Sequence, residues 1–90
     1  MDGSDDSWTT QGDDLATESV VLQQLLGLHP SQLTVAELVR EIGGEQPGFA
    51  ERDAIERAVR DLSGVGLIHH RDDFVLPTRA ALRFSALLDR

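Results

Sequence analysis

Four arginines in the second half of the chain are the residues best suited to bind a charged partner. Arg57 and Arg60 are three positions apart on one face of a predicted helix, Arg52 lies near the start of that helix, and Arg71 follows in a β-prone stretch beside His70. A guanidinium group binds phosphate oxygens and contacts guanine edges, and a histidine adds charge at acidic pH. These five side chains are therefore candidates for contacting DNA.

Carboxylates in the same stretch can neutralise these arginines. Asp53–Arg57 and Glu56–Arg60 are i,i+4 pairs of opposite sign, and such pairs stabilise a helix by about 0.2–0.5 kcal/mol each. The face that bears them lacks Asn, Gln, Ser and Thr, which excludes bidentate amide readout of adenine. A solvated face of salt bridges is thus the alternative to a DNA-contacting face.

The residue pattern does not support catalytic or metal chemistry. The chain has no cysteine, its three histidines have no matching serine nucleophile, and no glycine loop of phosphate-binding form is present. Adjacent His69 and His70 point to opposite faces of a strand, so they cannot easily share a metal. We therefore expect no enzyme, no metal and no cofactor.

The helix pair that must position the arginines is the best-marked part of the chain. Thr34 and Glu37 form a capping box, an apolar stripe follows, and Gly43-Gly44 supplies a left-handed stop. For the next helix, Asp53 with Glu56 offers a second capping box, and Gly48 is an alternative, earlier start. The buried stripes are expected at Val35, Leu38, Val39 and Ile42, and at Ile55, Ala58, Val59 and Leu62.

A hairpin and two flanking helices complete the predicted domain. The third helix stops at Gly64, and "LIHH" and "FVLP" read as strands joined by residues 71–73. The first helix starts near Thr17 and ends before His29, since Pro30 disfavours helical geometry in the residue before it. The last runs from about Thr78 to Asp89. Apolar residues on these two helices predict a homodimer interface: Leu22, Leu26, Phe84 and Leu88.

Acidic charge is concentrated at the start of the chain. Of the formal net charge of −8, residues 1–18 carry −6, with six acids and no base. Residues 1–16 are too polar to offset their ordering entropy, so we expect a disordered acidic arm with Trp8 as its one adhesive residue. Residues 17–90 form the single folded domain. An arm lying over the arginine face would inhibit DNA binding.

The stretch "AIERAVRDLSGVGLIHHRDDFVLPT" resembles the recognition helix and wing of winged helix-turn-helix regulators, with Gly66-Leu67-Ile68 opening the wing. "TVAELVREIG" is similar to the helix before it. The resemblance covers residues 17–90 and implies a mainly α fold with a small β-hairpin, in the order helix, helix, helix, hairpin, helix. It also implies that the third helix enters the DNA major groove while the wing contacts backbone or minor groove.

We therefore expect a small winged helix DNA-binding protein that regulates transcription, with double-stranded DNA as its partner. The alternative is a winged helix used for protein–protein interaction or assembly, favoured by the overall acidity, because acidic surfaces repel phosphate. No apolar run approaches the roughly 18 residues that a membrane span needs. We expect the cytoplasm as its location.

Overall fold

The computed structural model describes the backbone of residues 3–89 and the side chains of residues 14–89. The described part is mainly helical and contains one small antiparallel sheet. Its elements are α1 (Gly3–Leu28), β1 (Leu33–Thr34), α2 (Val35–Gly43), α3 (Phe49–Gly64), β2 (Ile68–Arg71), β3 (Phe74–Pro77) and α4 (Arg79–Leu88). The order of helices and hairpin is as predicted, with one further strand before α2.

Helix α1 begins at Gly3, so the predicted start near Thr17 is wrong. No proline interrupts residues 3–16, and aspartates are favoured near the start of a helix because they complement its dipole. The end at Leu28 is as predicted. Neither α1 nor any other helix among the described residues is long and apolar enough to cross a membrane. A separate arm at residues 1–16 stays a prediction, and the side chain of Trp8 lies outside the described residues.

Helix α2 is capped as its sequence predicts. Thr34 Oγ1 accepts a hydrogen bond from the Glu37 N–H at 3.1 Å, and Glu37 Oε1 accepts one from the Thr34 N–H at 2.9 Å. Gly44 ends the helix with φ of +88°, a conformation that residues with a Cβ rarely adopt. A Cβ at Gly43 would lie only 2.9 Å from Cβ of Pro47. The two glycines therefore have separate roles in one stop.

Helix α3 takes the earlier of its two predicted starts. Gly48 is the N-cap residue, and its N–H donates to Glu51 Oε1 at 2.9 Å. The capping box of Asp53 and Glu56 is wrong, because Asp53 lies inside the helix. The loop before α3 is accordingly short and spans residues 44–48. At the other end, α3 ends at Gly64 as predicted, and the glycine with positive φ is Gly66, at +87°.

The sheet contains three strands in the order β1-β3-β2, and all pairs are antiparallel. Strand β1 has only two residues, too few for an alternation pattern to show in the sequence. Its pairing is extended by the N–H of Val35, which donates to the Asp73 carbonyl at 3.0 Å. The hairpin turns at Asp72, which has φ of +56°, and Arg71 belongs to β2.

The core lies where α1, α2, α3 and the inner face of the sheet meet. Its buried residues include all four of the stripe predicted on α3, two from α2, two from α1 and one from each hairpin strand: Val21, Leu25, Leu38, Val39, Ile55, Ala58, Val59, Leu62, Ile68 and Val75. Helix α4 buries only Ala81 among its described side chains. Hence α1 to α3 hold the fold together, and α4 is a peripheral helix.

Thr78 joins the hairpin to α4. It is the only residue between β3 and α4, and it is buried with 8% of its surface exposed. Its N–H donates to the Leu67 carbonyl at 3.0 Å, and its hydroxyl donates to the Gly66 carbonyl at 2.8 Å. The same oxygen accepts from the Ala81 N–H at 3.2 Å and so caps α4. One side chain thus fixes both the base of the hairpin and the start of α4.

Candidate nucleic-acid interface

Three of the four candidate arginines have unpaired guanidinium groups. Arg52 and Arg60 lie on α3, Arg71 lies at the end of β2, and all three are exposed. None of them forms an ion pair with any side chain in residues 14–89, so the predicted Glu56–Arg60 pair is not formed. These three groups can reach an external anion without first breaking an internal salt bridge.

Arg57 is held by carboxylates on both sides. Its Nη1 lies 2.7 Å from Asp53 Oδ2, which is the predicted i,i+4 pair, and its Nη2 lies 3.0 Å from Asp14 Oδ1 on α1. The hydrogen bond from Arg57 to Asp14 raises the pKa of Arg57 above its ordinary range, and the negative charges of Asp14, Asp53 and Asp61 raise it further. The guanidinium of Arg57 is therefore charged, and both of its Nη atoms are paired with carboxylates.

Further carboxylates line the seam between α1 and α3. Burial raises the pKa of Glu18 above its ordinary value of 4.5, and the charges of Asp61 and Asp14, with a hydrogen bond to Asp61, raise it further. Helix α3 itself holds three arginines against four acids, so its net charge is −1: the acids are Glu51, Asp53, Glu56 and Asp61. Carboxylates thus gather at the seam side of α3, whereas Arg52 and Arg60 form no ion pair with the described side chains.

Replacing Glu18 by glutamine should stabilise the fold at neutral pH. The pKa of Glu18 is higher in the folded state than in the unfolded state. Protonated Glu18 therefore favours folding below the ordinary pKa, and this contribution to the free energy of unfolding is lost as pH rises through the pKa of the folded state. The glutamine variant should therefore melt at a higher temperature than the wild type at pH 7, and the difference should vanish near about pH 4.

Thermal unfolding followed by circular dichroism at both pH values measures this difference. Glu45→Gln, which removes the same charge from an exposed loop position, serves as the control. A Glu18→Gln variant that is equally or less stable at pH 7, or whose advantage persists unchanged in acid, would contradict the expected sign.

The two candidate residues on β2, His70 and Arg71, do not share one face of the sheet. His69 pairs with Leu76 and Arg71 pairs with Phe74, whereas His70 pairs with the buried Val75. Because side chains alternate along a strand, Arg71 lies on the outer face with His69, and His70 lies on the core-facing side, where it is exposed beyond the core. His70 and Arg71 are both exposed. Because they lie on opposite faces of the sheet, a ligand bound to one face contacts only one of them.

Sequence reasoning missed two features of this region. A cleft of about 240 Å³ on the outer face of the sheet is lined by Gln32, His69, Arg71, Asp72, Phe74 and Leu76. Period-2 alternation across the two strands could have grouped four of these residues in advance. The contact between Asp14 and Arg57 has no local signal, because the two residues are 43 positions apart.

The predicted dimer residues are divided between core and surface. Leu22 packs against the core and is half-buried, as is Leu26. On α4, by contrast, Phe84 is 60% exposed and Leu88 is 69% exposed, and Leu87 beside them is 56% exposed. Of the four predicted residues, the two on α4 therefore leave more apolar surface for a partner than the two on α1.

Comparison of the chain with protein-family models, with curated proteins and with solved structures finds no match. Within residues 14–89, no group of three or more histidine, aspartate and glutamate side chains is arranged to hold a metal ion.

Proposed function

We propose that this chain is a small winged helix DNA-binding protein that acts in the cytoplasm as a transcriptional regulator. The observation that carries the proposal is the placement of Arg52, Arg60 and Arg71 on the helix and hairpin that a winged helix presents to DNA. All three are exposed, and none forms an ion pair with a described side chain. The short α2–α3 loop and the strand order β1-β3-β2 support the fold assignment.

Phosphate contacts supply most of the affinity in this proposal. The polar side chains exposed on α3 are charged, and the helix contains no Asn, Gln or Thr, so adenine is not read by an amide or a threonine hydroxyl. Arginine can still contact guanine. Since the chain as a whole carries −8, long-range repulsion opposes the approach of DNA, and binding depends on local attraction at the three arginines.

A salt titration tests the proposal. Fluorescence anisotropy of a labelled duplex should show binding at low ionic strength, and three neutralised phosphates predict a slope of about −2.7 in log Kobs against log salt. Both the full chain and its Asp14→Asn variant should be measured. If neither binds duplex DNA at the lowest salt tested, DNA binding is excluded as the function.

A second candidate is homodimerisation or another protein contact through α4. Phe84, Leu87 and Leu88 leave most of their surface exposed on a ten-residue helix, and exposed apolar patches mark interaction sites. Light scattering at high micromolar concentration should then report a dimer, and Phe84→Ser with Leu88→Ser should return a monomer. A wild-type chain that stays monomeric at that concentration contradicts the homodimer.

A further inference from the structure

Arg57 is the one candidate arginine whose guanidinium is engaged from a different helix. Asp14 lies on α1 and Arg57 on α3, and the 3.0 Å contact between them spans 43 positions of sequence. The second terminal nitrogen of the guanidinium is held by Asp53 at 2.7 Å. Both Nη atoms are thus occupied by carboxylate oxygens, which are the atoms that most resemble the oxygens of a phosphate.

The pair is placed where it can open. The side chains of Arg57 and Asp14 are 38% and 37% exposed, so water reaches both partners, and exposed ion pairs add little to stability. Asp14 also stands near another negative charge, because Glu18 lies one turn further along α1 and the two carboxylates repel each other. An incoming phosphate therefore competes with a carboxylate that is only weakly held.

We propose that Asp14 is an autoinhibitory ligand: in the wild-type chain it occupies on Arg57 the position that a DNA phosphate takes once the Asp14 carboxylate is removed. This inference rests on the DNA-binding function proposed above. When Asp14 is displaced, Arg57 becomes a fourth phosphate contact beside Arg52, Arg60 and Arg71. Residues 1–18 carry a charge of −6. In this proposal, that acidic segment lowers the affinity of α3 for DNA.

Replacing Asp14 by asparagine tests the inference in the full-length chain. With the carboxylate at Nη2 of Arg57 replaced by a neutral amide that a phosphate can displace, affinity for a labelled duplex should rise about three- to tenfold at about 0.1 M salt, and the slope of log Kobs against log salt should steepen by about 0.9. The slope is the decisive reading, since it counts phosphates contacted. Asp89→Asn removes the same charge at the exposed C-terminal end of α4 and should leave the slope unchanged.

Arg57→Gln completes a double-mutant cycle. In the wild-type background it should change DNA affinity less than twofold, because the guanidinium is already occupied. In the Asp14→Asn background it should remove the gain and restore the shallower slope. Each variant is checked for an unchanged melting temperature, and Asp14→Ser provides a second replacement should the asparagine variant fail to fold.

The outcomes separate this inference from the function beneath it. If no variant binds duplex DNA, the DNA-binding function is overturned and Asp14 has no phosphate to compete with. If the wild type binds and Asp14→Asn binds with the same affinity and slope, the function stands and the autoinhibitory contact is overturned. A gain that persists after Arg57→Gln also overturns it, because the gain is then due to net charge alone.

Discussion

Replacing Arg52 and Arg60 together by glutamate should lower the affinity for duplex DNA by at least about 100-fold, since a hydrogen bond to a charged group contributes roughly 1.5–3 kcal/mol. Both side chains are exposed on α3 and free of ion pairs among the described residues, so their loss leaves no internal partner unsatisfied. The reversed charges add repulsion to the lost contacts. Anisotropy titration at fixed low salt measures the change.

The matched control reverses the same number of charges on another helix. Arg79 and Arg83 are exposed on α4, which packs on α1 and β3. The Arg79→Glu and Arg83→Glu double variant has the same net charge as the α3 variant, so it should lose affinity only through the long-range field. Equal losses in the two double variants would show that DNA responds to net charge and not to α3.

Replacing Leu38 by alanine should lower the free energy of unfolding by about 2–5 kcal/mol, the usual cost of removing a buried leucine side chain. Leu38 is fully buried, on α2, and belongs to the cluster in which three helices and the sheet meet. A domain has only about 5–15 kcal/mol of stability in total. Urea denaturation followed by circular dichroism should therefore show a large shift of the midpoint.

The control for the Leu38→Ala variant is the same substitution at a solvent-exposed leucine. Leu15 on α1 is 61% exposed, and leucine and alanine have similar helix propensities, so Leu15→Ala should change stability by no more than about 0.5 kcal/mol. If both variants lost a similar amount of stability, Leu15 would be packed in the folded protein, which would contradict its exposed position. A Leu38→Ala chain as stable as the wild type would contradict the core described above.

The parts of the fold that follow local rules could be predicted from the sequence. The cap of α2 depends on two side chains three residues apart, and its stop depends on one glycine with positive φ. The buried stripe of α3 follows from helical spacing alone. Strand β1 escaped prediction because a two-residue strand is defined by its partner β3 and not by its own composition.

The candidate site was less predictable than the fold, for a physical reason. Arginine type and spacing identified Arg52, Arg57, Arg60 and Arg71 without distinguishing among them. Their availability depends on which carboxylates lie nearby in three dimensions, and Asp14 reaches Arg57 only because α1 continues toward the N-terminus along α3.

The bonds made by Thr78 give the domain a mechanical property. Its hydroxyl and its N–H fix it to the two residues that precede the hairpin, and the same hydroxyl caps the first turn of α4. No flexible loop separates β3 from α4. The hairpin and α4 are therefore joined rigidly at Thr78. We expect the orientation of α4 and the position of Arg71 relative to α3 to be coupled through these bonds.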